Sequence, residues 1–203
     1  MRAMQHRKAV VFLVFLASFT IVYSSVAFFA LSKAPAQAFI GFGVFASNGS
    51  LSNYYQNSGA PNVTIGQTLN WHLQIANRIG RLQLAEIVVR MGNLTTIAPT
   101  ETGPANAPDI EESIITVPNG ENSTVNFDWK ILSVSHPGRL TYLNLEINGK
   151  QVRPVVGAVS GQGFRLIFEL WTFEGQSGSF QYGYLGDTGR VGNWLILWFN
   201  SAS

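Results

Sequence analysis

An uninterrupted apolar run, Ala9 to Leu31, constrains this chain more than any other feature of its sequence. The run contains no charged side chain, and a helix of about 20 apolar residues is long enough to cross the hydrocarbon core of a bilayer. Arg7 and Lys8 directly precede the run, and Lys33 closes it. We therefore expect one N-terminal transmembrane helix at residues 9–31, with residues 1–8 as a short tail and residues 32–38 as a stalk.

The position of the basic residues predicts the orientation of the chain. Lys and Arg that flank a transmembrane segment favour the cytoplasmic side, and here they cluster before the helix. We expect a single-pass protein of the cell membrane, with a cytoplasmic N-terminus and an extracellular domain at residues 39–203. Cleavage between Ala38 and Phe39, as in a signal peptide, is the alternative. The apolar run is longer than the ~7–15 residues of a signal-peptide core, which favours the uncleaved anchor.

Charge and cysteine content narrow the function. The chain has a formal net charge of +2, but nine of its thirteen Lys and Arg and all eleven Asp and Glu follow Lys33, which gives residues 34–203 a charge of −2. A basic face for nucleic acid is therefore not expected. The chain has no cysteine, which excludes disulfides, cysteine nucleophiles and thiolate metal sites.

Alternating hydrophobicity after the stalk predicts an all-β domain. Leu69–Ile75 and Val125–Ile131 alternate apolar and polar residues, as half-buried strands do. Asn148–Gly149 between two such runs predicts a hairpin with a type I′ turn. About eight or nine short strands favour an immunoglobulin-like β-sandwich, with a closed barrel as the alternative. Other predicted segments are strands at Phe39–Ala46, Leu84–Met91, Ile114–Val117, Phe164–Phe173 and Gly178–Tyr184, and a loop at Thr95–Pro108.

The run Trp194–Phe199 is apolar on both faces, which predicts a central or covered strand. Its place close to the C-terminal residue Ser203 leaves two pairings open. The strand pairs either within its own sheet or with a sheet of another chain.

One long segment, NVTIGQTLNWHLQIANRIGRLQLAEIVVRMGN at Asn62–Asn93, resembles an archaeal family of membrane-anchored domains, domain-of-unknown-function family 1616. The later segments VPNGENSTVNFDWKIL, LTYLNLEINGK and FRLIFELWTFE fit the same family. The resemblance implies a sandwich of the cell-adhesion-related type and an envelope location. It implies no catalytic residue.

Two kinds of residue are candidates for modification or contact. Four Asn-x-Ser/Thr sequences at predicted turns are candidate glycosylation sites, namely Asn48, Asn62, Asn93 and Asn122. Their alternative role is ordinary turn formation. Tyr182 and Tyr184 flank a glycine near a predicted turn, and they form a contact patch if they project outward.

No residue pattern predicts catalysis, a cofactor or a metal site. Gly-x-Ser-x-Gly and a Gly-rich phosphate loop followed by Lys are absent. His72 and His136 are isolated and lack the spacing of metal ligands. Asp109, Glu111 and Glu112 lack the spacing of a calcium loop, so we expect a solvated loop end there. The chain is therefore not expected to be an enzyme.

These observations favour a membrane-anchored extracytoplasmic module with a structural, adhesive or interaction role in an archaeal cell envelope. Its expected partners are the lipid bilayer, through residues 9–31, and a protein of the membrane or envelope. One alternative is an accessory subunit of a membrane complex, packed through small residues such as Ala17 and Ser18. The other is a filament subunit that donates Trp194–Phe199 to its neighbour.

Overall fold

The computed structural model describes residues 15–24, 38–55, 61–186 and 189–202. The chain forms two compact units, Met1–Gln37 and Ala38–Ser203. In the first unit, residues 15–24 are helical and exposed. Within the described ranges no helix has the length and apolar character needed to cross a membrane. The other residues of the predicted span at 9–31, the tail at 1–8 and most of the stalk lie outside these ranges.

The second unit is built from β-strands. In chain order, the strands of its described residues are β1 (Ile40–Phe45), β2 (Asn62–Thr64), β3 (Leu69–Asn77), β4 (Gln83–Gly92), β5 (Asp109–Val117), β6 (Asn122–Ser135), β7 (Leu140–Ile147), β8 (Lys150–Val152), β9 (Gly157–Val159), β10 (Phe164–Glu174), β11 (Ser179–Tyr182), β12 (Tyr184–Gly186), β13 (Gly189–Val191) and β14 (Trp194–Ala202).

The strands form two large sheets and one separate hairpin. The first sheet has the order β1-β3-β6-β7, and β8 and β9 pair one after the other with the outer edge of β7. The second sheet has the order β2-β14-β10-β4-β5, and β11 continues the β14 side of β10. Strands β12 and β13 form the hairpin. This arrangement is two separate layers of antiparallel strands, with one parallel pair between β14 and β2.

Alternating side chains from both sheets meet in an aromatic core. Trp71 of β3 lies between Trp129 of its own sheet and Phe168 of the other, with ring centroids 5.3 and 6.0 Å away. Phe199 of β14 contacts Trp129 at 4.9 Å. Each of these rings is at most 1% exposed. Edge-to-face ring pairs add about 0.5–1.5 kcal/mol each beyond the burial of area, so these contacts hold the two sheets together.

An ordered loop covers the outer face of the second sheet. Residues 93–108, here called the strap, connect β4 to β5 and contact β10. The N–H of Ala105 donates to Glu169 of β10 at 2.6 Å, and Arg165 of β10 donates to the carbonyl of Thr96. Strand β10 is consequently buried on both faces. Its residue Ile167 is 0% exposed although it is not part of the core cluster between the sheets.

Most predicted strands are present, but two of them are longer than expected. Strand β5 begins at Asp109 rather than Ile114, and β6 continues past Ile131 to Ser135. Pairing with β4 and β7 holds these additional residues, whereas their hydrophobicity alone does not mark them as strand. The predicted turn at Asn148–Gly149 is confirmed, with φ values of 48° and 79°.

The prediction of a central or covered strand at Trp194–Phe199 is confirmed only in part, because β14 lies between β2 and β10 in its sheet but is not covered. Over this stretch β14 pairs with β10 on one side, and β2 pairs only with residues 200–202. The outer face of β14 therefore leaves Trp194, Ile196 and Trp198 partly exposed. The strand pairs in cis, within its own sheet.

Candidate functional site

An open groove of about 520 Å³ lies at one end of the second sheet. Its walls come from the start of β4, the end of β10 and the hairpin β12–β13. Three apolar side chains on its rim are exposed, namely Leu82 (62%), Leu185 (47%) and Phe173 (39%). Exposed apolar side chains grouped around a few polar groups are typical of interaction sites. We call this surface the end groove.

Hydrogen bonds fix the polar floor of the end groove. Nη2 of Arg190 lies 3.3 Å from Oε2 of Glu174, and its Nη1 donates to the carbonyl oxygen of Gly183 at 3.2 Å. The hydroxyl of Thr172 donates to the same carbonyl at 2.8 Å. Gln83 of β4 donates to a backbone carbonyl of β10 at 3.2 Å. These bonds tie the hairpin and both strands together, so the groove is formed before anything binds in it.

Arg81 adds a positive charge to the rim. Its side chain is exposed, and among the described residues no carboxylate lies within ion-pair distance of it. Arg190, by contrast, is already paired with Glu174. The groove therefore combines apolar walls with one unpaired cation. This combination suits an apolar segment that carries an acidic group.

The end groove lies where the chain enters the domain. Ile40, the first residue of β1, is opposite Asn77 in the ladder between β1 and β3. The amide of Asn77 donates to the carbonyl of Arg81 at 2.8 Å. Asn193, which precedes β14, donates to the carbonyl of Ile40 at 2.8 Å. The N-terminal end of the domain and the groove are therefore neighbours.

The four candidate glycosylation residues differ in their surroundings. Three of them are exposed, namely Asn48, Asn62 and Asn122. The fourth, Asn93, is half-buried, and its side-chain nitrogen donates to the carbonyl of Gly157 at 2.8 Å. Its Oδ1 accepts the N–H of Thr95 at 2.9 Å. Since a glycan is attached through the side-chain nitrogen, the fold occupies the reactive atom of Asn93 and leaves the other three accessible.

Tyr182 and Tyr184 do not project outward together. Tyr182 is 7% exposed and donates its hydroxyl to the carbonyl of Thr100 at 2.8 Å. Burial, with the charge of Glu169 as the smaller cause, raises the pKa of Tyr182. Tyr184 is partly buried against the core. Gly183, at a φ of 73°, interrupts the strand between them, so simple alternation does not predict where either ring points.

The residues considered for metal binding do not converge. Asp109 pairs with Arg90 at 2.6 Å and Glu111 lies 3.8 Å from Lys150, and both acidic residues belong to β5 rather than to a loop end. Nδ1 of His72 contacts an asparagine oxygen on the neighbouring strand β6. Across the part of the chain that the structure describes, no group of three or more His, Cys, Asp or Glu is placed to hold a metal ion.

Sequence reasoning missed the end groove entirely. Its lining comes from residues 81–84, 172–176, 185 and 190, which share no motif and come together only when β4 pairs with β10. A faint signal was the glycine between Tyr182 and Tyr184, because a positive φ there turns the chain into the hairpin.

Comparison with known proteins assigns no family. No family model matches the sequence, and no curated protein matches it. A CARDB domain from Pyrococcus furiosus, in complex with di-metal ions, is 6% identical with a TM-score of 0.38, over 84% of this chain and 94% of that one. A β-glucosidase from Listeria innocua, in complex with glucose, is 12% identical with a TM-score of 0.36, over 81% of this chain and 16% of that one.

A third structure is similar over a comparable length. Spo0M, a sporulation control protein from Bacillus subtilis, is 10% identical with a TM-score of 0.28, over 81% of this chain and 91% of that one. Similarity at this level does not establish a shared function. No family model supports the resemblance to family 1616. A CARDB domain, which is of the cell-adhesion-related type, is among the similar structures.

Proposed function

We propose that this chain is a membrane-anchored extracytoplasmic interaction module of an archaeal cell envelope. In this proposal residues 9–31 hold an immunoglobulin-like β-sandwich at the bilayer, and the end groove binds a protein partner. The observation that carries the proposal is the groove itself, where the apolar side chains of Leu82, Leu185 and Phe173 stay exposed beside the unpaired Arg81.

Two features support a protein partner. Monomeric proteins rarely leave several large apolar side chains exposed in one place unless a partner covers them. The walls of the groove are braced by the contacts of Arg190 and Thr172, so little conformational entropy is lost when a partner binds. A partner of the membrane or envelope follows from the anchor predicted at residues 9–31.

The test is purification of the full-length chain from its own membranes in mild detergent, with intact-mass spectrometry of everything that copurifies. We expect a chain that retains residues 1–33 and carries a stoichiometric partner. Leu82→Asp places a charge on the groove rim and should reduce recovery of that partner at least about tenfold, since it buries a carboxylate against an apolar surface. An isolated chain that begins at Phe39 would contradict the anchored module.

Val155→Asp is the matched control. Val155 is 80% exposed and lies in the connection between β8 and β9, on the first sheet. It therefore receives the same substitution at an aliphatic position that is more exposed than Leu82 and lies away from the groove. If both variants retain the partner equally, the partner binds elsewhere on the chain.

A further inference from the structure

The outer face of the second sheet carries two charged corners that lack counter-charges. The basic corner consists of Arg165 and Trp198 with the strap residues Leu94 and Ile97. The acidic corner consists of Glu86, Glu112 and Ile114. Neither corner is part of the end groove.

Arg165 at the basic corner is a buried cation without an anion. It is 5% exposed, and no carboxylate of the described residues lies within ion-pair distance of it. Its Nη2 donates to the carbonyl of Thr96, and its Nε has no hydrogen-bond partner in the described part of the chain. The guanidinium carbon lies 5.0 Å from the ring centroid of Trp198. A buried guanidinium in this state is unfavourable unless an anion approaches it.

Exposed apolar side chains surround this cation. Trp198 is 40% exposed, Leu94 is 72% exposed and Ile97 is 67% exposed. The side chain of Leu94 lies against Gly163, where an added Cβ atom would be 2.8 Å from Cγ of Leu94. Gly163 is two residues before Arg165 on the chain, so Leu94 lies close to Arg165. Tryptophan and arginine within an apolar rim are the residue types that contribute most to protein interfaces.

The acidic corner carries negative charge in place of the positive charge of the basic corner. Glu86 lies opposite Ile114 in the ladder between β4 and β5, and Glu112 lies opposite the neighbouring outward position Val88. Burial raises the pKa of Glu86, and the charges of Glu112 and Asp109 raise it further. Among the described residues, no cation lies within ion-pair distance of Glu86 or Glu112. Ile114, which lies opposite Glu86 and two residues after Glu112, is 62% exposed and supplies the apolar contact.

Both corners belong to the same face of the sheet. Arg165 pairs with Gly92 at one end of the ladder between β10 and β4, and Trp171 pairs with Glu86 at the other. Along β10, Arg165 and Trp171 are six residues apart, which separates the two corners by about 20 Å. A two-fold axis that lies in the plane of the interface, midway between the corners, places each corner of one copy on the other corner of its partner.

We propose that a second copy of this chain docks on this face, with Arg165 of each copy facing Glu86 and Glu112 of the other. Each contact then sets a cation against two carboxylates, and these three groups lack counter-charges among the described residues of one copy. Trp198, Leu94 and Ile97 pack around Ile114 of the partner copy. The inference is independent of the anchor and of the end groove, since it uses neither.

Charge reversal in the full-length chain tests the proposal. Sedimentation equilibrium in density-matched mild detergent should show reversible dimers at concentrations up to ~100 μM. Glu112→Arg should weaken association at least about tenfold, because it sets like charges against each other at both contacts. Adding Arg165→Glu and Glu86→Arg to the same chain should restore association to within about threefold of the original, since every charge at the contact is then reversed and again faces its opposite. A chain that stays monomeric, or that dimerises equally well with Glu112→Arg, would overturn the proposal.

A cysteine pair provides a second readout in case Arg165→Glu fails to fold. The sequence has no cysteine, so disulfides form only where cysteines are introduced. Ile114→Cys together with Trp198→Cys should give a disulfide-linked dimer on mild oxidation, because the two positions face each other across the proposed interface. The control pair, Val155→Cys with Val159→Cys, places cysteines on the first sheet at positions that are at least as exposed as the test pair. Equal crosslinking of both pairs would also overturn the proposal.

Discussion

Nε of Arg90 lies 2.9 Å from the carboxylate of Glu169, and this pair is the centre of a buried charge network between β4 and β10. Glu169 is 0% exposed. Its second oxygen accepts the N–H of Ala105 at 2.6 Å, and Arg90 donates to the carbonyl of Ala107 at 2.7 Å. Because both alanines belong to the strap, the network fastens the strap to the sheet.

Glu169→Gln should lower the free energy of unfolding by about 3 kcal/mol, near the lower end for breaking a buried ion pair. The amide removes the charge that faces Arg90, and its single oxygen cannot accept from both Nε of Arg90 and the N–H of Ala105 as the two carboxylate oxygens do. Asp109, 2.6 Å from Arg90, still compensates part of the cation's charge. Urea denaturation of the full-length protein in mild detergent, followed by tryptophan fluorescence, measures the change.

Glu146→Gln is the control for that measurement. Glu146 pairs with Lys130 at 2.7 Å, but its side chain is 34% exposed. Exposed pairs contribute about 0–1 kcal/mol, so this variant should stay close to the original. Equal losses in the two variants would show that the strap is not held by the buried network.

The sequence could not reveal this network. Glu169 stands in FRLIFELWTF, where an acidic residue in an apolar run reads as the outward side of a strand. The structure buries it because the strap, predicted only as a loop at Thr95–Pro108, crosses the outward side. Alternation identifies which residues leave the core, but it does not show whether another segment covers them. The end groove and the exposure of β14 were missed for the same reason, because alternation does not show which outward residues another segment covers.

The features predicted correctly from the sequence depend on residues that are close together along the chain. Leu69–Ile75 became a regular strand, since each apolar position there faces the core. Asn148–Gly149 formed the expected turn, because both residues tolerate positive φ. Sheet order, by contrast, depends on contacts between distant segments, such as β14 beside β10. No local pattern specifies them.

Gly183→Ala should destabilise the hairpin that forms one wall of the end groove. Gly183 has a φ of 73°, and a Cβ atom there would lie 2.1 Å from the carbonyl oxygen of Val191. Backbone cannot move aside as a flexible side chain can. We expect a loss of about 1–3 kcal/mol for the steric overlap, beyond the cost of a positive φ. The same denaturation measurement applies.

Gly178→Ala separates the cost of steric overlap from the cost of a positive φ. Gly178 has a similar φ of 66°, but a Cβ atom there would meet nothing within 4 Å. This variant should show only the conformational cost of about 1–2 kcal/mol. If the two alanine variants lose the same stability, close packing of the hairpin on Val191 is not what requires glycine at position 183.

Glu86→Gln should stabilise the domain at neutral pH. Burial, followed by the charges of Glu112 and Asp109, raises the pKa of Glu86. A carboxyl with a raised pKa binds its proton more tightly in the folded state, so its ionisation costs stability as pH rises. The advantage of the variant should therefore be present at pH 7 and absent below about pH 4, where the carboxyl is protonated in both states. Unfolding measured across this range in dilute protein is the test.

Glu121→Gln is the matched variant for this pH series. Glu121 is exposed in the turn before β6, and its backbone carbonyl accepts hydrogen bonds from Arg78 and Asn77. Removing this carboxylate should leave the dependence of stability on pH close to that of the original chain. If Glu86→Gln depends on pH in the same way as the original chain, the role given to Glu86 is wrong.

Glycosylation should distinguish Asn93 from the other three candidate residues. Glycopeptide mass spectrometry of protein from its native cells should find glycans only among Asn48, Asn62 and Asn122. The side-chain nitrogen of Asn93 is already donated to Gly157 at 2.8 Å, and its oxygen accepts the N–H of Thr95 at 2.9 Å. Attachment there would break the turn that begins the strap.

Asn93→Gln supplies the complementary measurement. If Asn93 is structural, the longer side chain loses both bonds and should lower the free energy of unfolding by about 1–3 kcal/mol, since each hydrogen bond contributes about 0.5–1.5 kcal/mol. Asn48→Gln, at an exposed position whose oxygen accepts the N–H of Ser50 at 3.0 Å, should change stability by less than about 0.5 kcal/mol. A glycan on Asn93 in the folded protein, or equal stability of the two variants, would show that the contacts of Asn93 do not hold the strap.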